Sequence, residues 1–226
     1  MTQNKFSPAV LTAPIILLIF LATCLGMSFL FNPIHPITFF TTEGAIETIT
    51  YAMYGVALIT MVIFGRDFIN TPQQTSYILF LVLWLAALLR EMGIQHALTS
   101  TDTTAIKLRF FTNPNNPLSE KIVTAILVLS VVGVILKLLI QYTPKIIRGF
   151  FNFNPVYWTI CTFGGIGVVS KIADRFPSNY YKSTGTKLTE STEIWFKLIE
   201  EAGEACLPLL FALALWQYHN SLKKQG

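Results

Sequence analysis

The chain has 226 residues, of which 53% are hydrophobic and 12% charged, with a formal net charge of +4 and a mean hydropathy of +0.56. Soluble domains carry roughly a quarter charged residues, and so few charges cannot supply the polar area that a water-facing surface needs, so the composition excludes a soluble globule. The basic residues are scattered, with no basic helix or aromatic-interleaved stripe, and nucleic acid is not an expected partner.

A bilayer core of ~30 Å takes about 20 mostly apolar residues per helix, and six segments qualify. The first, Pro14 to Phe31, follows only Lys5, and Thr23 ahead of Cys24 is a poor lipoprotein cleavage site, so it reads as an uncleaved helix. Asn32-Pro33-Ile34-His35-Pro36 stops it. The second runs from Ala45 to Phe64 and is entered through Glu43 and Glu47; Asn70-Thr71-Pro72 comes after it. The third, Ser76 to Met92, ends in Arg90-Glu91-Met92-Gly93-Ile94-Gln95-His96, followed by Asp102, Lys107, Arg109 and the turn-rich Asn113-Pro114-Asn115-Asn116-Pro117. The fourth is Ile122 to Tyr142, where Lys137 is expected to snorkel to the interface. The fifth, Pro155 to Ile172, holds Gly164-Gly165-Ile166-Gly167, small residues that should admit a neighbouring helix, and is expected to stop by Pro177-Ser178-Asn179. The sixth is Ile194 to Tyr218. The expected fold is all-α, one polytopic transmembrane bundle of about six spans over residues 1–226. Cys24, Cys161 and Cys206 lie in apolar runs without metal-ligand spacing and read as packing residues.

Six spans put both termini on one side. That side carries Lys5, Arg66, Lys145, Arg148, Lys223 and Lys224 against one acid, Asp67. The other carries Glu43, Glu47, Glu91, Asp102, Glu120, Asp174, Glu190, Glu193, Glu200, Glu201 and Glu204, eleven of the twelve acids. The basic residues of the first side stand nearly unopposed, as the anionic headgroups of a cytoplasmic leaflet favour, so cytoplasmic termini are expected in a bacterial inner membrane.

Ionised side chains near the membrane core cost ~2.5–3.5 kcal/mol each on insertion scales, so they persist only when paired or facing a polar cavity. Four groups gather at the acidic face. Glu43 and Glu47 are one turn apart; Arg90 to His96 ends the third span; Ser170-Lys171-Ile172-Ala173-Asp174-Arg175 ends the fifth; and Glu193, Lys197, Glu200 and Glu204 should form one continuous face of the sixth, with Glu201 beside it. Interfacial ion pairing alone is one account of these groups. The functional account makes Glu91 and His96 an acid/base pair, since an unperturbed histidine titrates near neutrality. Arg90, Lys107, Arg109 and Lys171 would then hold an anionic headgroup. Glu43, Glu47, Asp174, Glu200, Glu201 and Glu204 would orient them or ligate a divalent metal, although no tight metal motif is present. His35 and His219 carry no functional signal.

The segments Glu43-Gly44-Ala45-Ile46-Glu47, Arg90 to His96, Ser170 to Arg175 and Glu200 to Glu204 resemble a group of bacterial polytopic inner-membrane proteins with E-x-x-x-E, R-E-x-x-x-x-H, S-K-x-x-D-R and E-E-x-x-E segments. The group has no assigned activity; the resemblance implies that these polar positions act together. The leading expectation is a hydrolase or transferase acting on a lipid or lipid-linked substrate, with membrane lipids as partners. The alternatives are a proton- or ion-coupled transporter and a non-catalytic assembly subunit, either of which brings in a second copy or another membrane protein.

Overall fold

The computed structural model describes residues 7–41, 45–94, 99 and 108–223, and among these the chain is all-α. We label the helices α1 (Thr12–Phe31), α2 (Ala45–Phe64), α3 (Gln74–Glu91), α4 (Leu108–Thr112), α5 (Leu118–Phe151), α6 (Pro155–Thr184), α7 (Glu190–Lys197) and α8 (Gly203–Lys223). Short 3-10 turns cover Pro8–Leu11, Pro36–Phe40 and Gly65–Phe68, and one π turn, Leu198–Ala202, joins α7 to α8. Five segments, centred on α1, α2, α3, α5 and α6, are long and apolar enough to cross a bilayer. The chain is a multi-pass membrane protein.

The expected sixth span is helical but is not one of those five. Its neighbours explain its composition: Gly203, Ala205, Cys206, Pro208, Leu210 and Ala212 are buried against other helices rather than lipid. A sheathed helix meets protein partners for its polar groups and needs less lipid affinity. By contrast α1 presents Leu18 and Leu30 at 66% and 84% exposure, as a lipid-facing helix does.

Two further differences concern α6. Pro177 does not stop it. The helix runs on to a glycine C-cap, Gly185, with φ of 71°, the left-handed conformation that glycine adopts without a Cβ penalty. Proline removes one backbone donor, and the helix absorbs that loss. Among the described residues Gly164 and Gly165 meet no neighbour, since a Cβ at either would have nothing within 4 Å, while one at Gly167 would make ordinary contact with Leu207.

The chain divides into two compact units, one of Met1–Arg66 with Ile146–Gly226 and one of Asp67–Lys145. In the first, α8 is central and packs against α2, α6 and α1. Ala13 of α1 lies with Ile166 and with Cys206 and Leu210 of α8. Nearer the other end Cys24, Ile46, Leu198, Ala202 and Ala205 share a core with Phe39 and Phe40 of the 36–40 turn. These layers fix helix direction: α1 and α6 run toward the π turn, whereas α2 and α8 run away from it. The far end is closed by Thr159 Oγ1 donating to Gln217 Oε1 at 2.7 Å and by the Phe64 and His219 rings, 4.6 Å apart. His219 is thus a packing residue. The α5–α6 corner is held by Asn154 capping Val156 N–H, Trp158 Nε1 donating to the Phe150 carbonyl at 3.0 Å, and the Tyr157 ring lying against Gly149.

In the second unit, α3 and α5 meet where Gln141 Nε2 donates to Ser76 Oγ at 3.2 Å and where the Phe80 and Tyr142 rings lie 6.1 Å apart. Asn116 Nδ2 donates to the Phe110 carbonyl at 2.7 Å, which folds the 113–117 turn onto α4. Lys137 is exposed among apolar residues of α5.

Candidate functional site

Six charged groups of the first unit, Lys171, Asp174, Lys197, Glu200, Glu201 and Glu204, gather around the π turn. An α-helix bonds i to i+4 and a π turn i to i+5, so the turn holds one extra residue and rotates α8 relative to α7 by about 100°. The expected single face of Glu193, Lys197, Glu200 and Glu204 therefore does not run through it. Lys197 Nζ donates to Glu200 Oε2 at 2.9 Å and lies 3.6 Å from Glu201 Oε1. Beyond the turn Glu204 faces α6, where Lys171 Nζ lies 2.6 Å from its Oε1. Asp174, on α6 one turn after Ser170, is close enough for its charge to act on Glu200, and its own carboxylate sits 3.8 Å from Arg175. Helix α6 and the continuous α7–π turn–α8 segment thus bring four carboxylates and two lysines together.

The turn has identifiable supports. Ser170 is fully buried and its Oγ donates to the Ile199 carbonyl at 2.9 Å, within the π segment. Gly203 ends the turn where α6 comes closest: a Cβ there would collide with Ser170 Oγ and lie 3.1 Å from Ile166 Cδ1. Outside the turn, Phe196 of α7 stacks on Phe176 of α6 with centroids 4.3 Å apart, and the buried Phe39 and Phe40 cover its α1 side.

The cluster is partly open. Lys171 is 54% and Glu201 36% exposed, whereas Glu200 and Glu204 are 15% and 23% exposed. After Glu204 and as far as Gln217, α8 carries no Asp, Glu, Lys, Arg or His, a stretch of about 20 Å at 1.5 Å per residue. Along α8, therefore, no charged side chain lies between the cluster and the opposite end of the unit.

The other expected residues are placed elsewhere. Ile46 packs beside Leu198 and Ala202, which puts the start of α2 level with the π turn, but the Glu47 carboxylate accepts a hydrogen bond from Tyr51 at 2.7 Å rather than joining the lysines. Arg90 and Glu91 belong to the second unit and pair with each other at 2.9 Å. Arg109 is exposed on α4. Glu43, His96, Asp102 and Lys107 lie outside the described residues. Among the described residues no three His, Cys, Asp or Glu side chains are grouped to hold a metal ion, so the metal expectation gains no support from them. His35 is less idle than its sequence context suggests: its Nδ1 lies 3.2 Å from Glu190 Oε1, linking the loop after α1 to the first turn of α7. Gly203 is the residue that sequence reasoning missed. Its only signal is a lone glycine in a helical stretch, which costs ~1 kcal/mol relative to alanine and so implies a packing reason.

Comparison of the chain with protein-family models, with curated proteins and with solved structures gives no match in any of the three.

Proposed function

We propose that the chain is a bacterial inner-membrane enzyme, a hydrolase or transferase acting on a lipid or lipid-linked substrate, and that the cluster at the π turn is its working site. The observation that carries this reading is the cross-helix set of Lys171–Glu204 and Lys197–Glu200–Glu201, partly exposed at its own end and followed along α8 by an apolar stretch that reaches toward the opposite end. A conduit needs polar lining through the whole thickness, so the apolar stretch disfavours the transporter alternative. If Gln217 marks one interface of a ~30 Å hydrocarbon layer, the Lys171–Glu204 pair lies about 10 Å inside the other. A substrate that already resides in the membrane reaches that depth laterally.

In this reading Glu201, the more exposed of the two carboxylates beside Lys197, is the general base. Glu200, fixed by its 2.9 Å hydrogen bond, orients Lys197. Lys171 reaches outward and exchanges Glu204 for an anionic group of the substrate. The sequence-based roles of Glu91 and His96 as an acid/base pair and of Arg90, Lys107 and Arg109 as headgroup-holding residues are a separate proposal, which Glu91→Gln and His96→Gln test in the same deletion strain. Both termini are proposed to be cytoplasmic. The test compares lipid profiles of a deletion strain carrying wild-type protein, Glu201→Gln or Lys171→Gln at equal membrane abundance. The variants should leave one lipid or lipid-linked pool at its deletion-strain level. Wild-type profiles from both variants would refute this assignment.

A further inference from the structure

The helical hydroxyls of this chain have a common habit. Thr23, Thr50, Thr60, Ser130 and Thr162 each donate to the carbonyl four residues back in their own helix, at 2.7–2.9 Å. Ser170 departs from it: its hydroxyl leaves α6 and donates to Ile199 O, inside the π turn of the neighbouring helix. A widened turn disrupts the regular i to i+4 ladder, and a carbonyl freed there needs a donor from elsewhere. Gly203, four residues after Ile199, is the position where any side chain would occupy the space of Ser170 Oγ. The bond and the gap above it thus form one arrangement, contributed by two helices.

We infer that Ser170 and Gly203 together lock the π turn into this stretch of helix, and that the lock sets which carboxylate meets which lysine. The turn separates two sets of pairs. Before and within it Lys197 holds Glu200 and Glu201; after it Glu204 meets Lys171. Wound as one regular helix with every residue retained, α7 and α8 would have the residues after the turn rotated by about 100° from where the π turn places them. The segment itself does not demand a π turn, because Leu, Ile, Glu, Glu and Ala are all ordinary α-helical residues. The demand comes from α6.

The test is a deletion cycle read by thermal melting of the purified full-length protein, so it does not depend on the proposed activity. Deleting Ile199 removes the extra residue and lets the helix close as a regular one, with both flanking segments still in place. Deleting Leu209, in the regular part of α8, rotates everything on one side of it by about 100°. The expected result is that the Ile199 deletion yields monodisperse protein and the Leu209 deletion does not. Ser170→Ala should lower the melting temperature by about 2–4 °C in the full-length chain and produce no further fall in the Ile199 deletion, where a regular i to i+4 ladder pairs the carbonyls of this segment without it. A hydroxyl that only fills space would cost the same in both backgrounds. Equal cost in both, or an Ile199 deletion as damaging as the Leu209 deletion, would overturn the inference. Loss of the lipid phenotype alone would refute the proposed function and leave the lock intact.

Discussion

Replacing Gly203 with alanine tests the close approach at the π turn, and the magnitude is set by the atoms that the new methyl would meet. It would collide with Ser170 Oγ and stand 3.1 Å and 3.2 Å from Ile166 Cδ1 and Cγ1. Overpacking of this kind costs about 1–3 kcal/mol. If Ser170 swings aside to make room, its hydroxyl and the Ile199 carbonyl lose their part-buried hydrogen bond, at a further ~1–3 kcal/mol. Alanine recovers about 1 kcal/mol of helix propensity over glycine. Taking the middle of each range, the net is a destabilisation of about 3 kcal/mol, or roughly 6–12 °C in melting temperature for a chain of this size. Gly165→Ala is the internal control, since nothing lies within 4 Å of its Cβ position; there only the propensity gain of about 1 kcal/mol remains, and melting should rise or stay level. The assay is the fraction of detergent-solubilised protein that stays monodisperse after heating, measured for the two variants side by side. A Gly203→Ala protein that melts at or above Gly165→Ala would refute the reasoning.

Other substitutions bear on separate contacts. Gly149→Ala should destabilise the α5–α6 corner by ~1–3 kcal/mol, because the Tyr157 ring occupies the space of the new methyl; the same heating assay reads it, and an unchanged melting temperature counts against the corner as described. Thr159→Val should cost ~1–3 kcal/mol by leaving Gln217 without its buried 2.7 Å donor, and Thr159→Val with Gln217→Leu should cost less than the single change, a reversal visible in the double-mutant cycle. Glu190→Gln should change stability by less than about 1 kcal/mol, since the His35–Glu190 pair is exposed at 60% and 48%. Reporter fusions after Lys223 should report a cytoplasmic C-terminus, and fusions in the 99–107 region the opposite side.

The helices were legible because hydropathy over a bilayer-length window is a strong, additive signal: α2 runs from Ala45 to Phe64 as expected, and α1 and α3 agree within two residues. The ends of α5 and α6 were less legible. Prolines mark a helix end only when the freed carbonyl and the ring crowd the turn; Pro144 and Pro177 sit inside helices instead. The convergence of Lys171 with Glu204 was readable in outline, from charge at the facing ends of two spans. The pairing was not, because it depends on the π turn, and Leu198–Ala202 carries no sequence mark of one. Its cause lies in Ser170, 29 residues away. Gly164 and Gly165 misled in the other direction: small residues permit a close approach but do not supply the neighbour.

The proposed function rests on the cluster at the π turn acting on a molecule that resides in the membrane. The most direct measurement incubates purified wild-type protein and Glu201→Gln, at equal folded amounts in vesicles, with a total bacterial lipid extract, and compares the extracts by mass spectrometry before and after. The expected result is at least one lipid or lipid-linked species consumed by the wild type and untouched by Glu201→Gln. Extracts left unchanged by the wild type, or the same species consumed equally by both proteins, would contradict it.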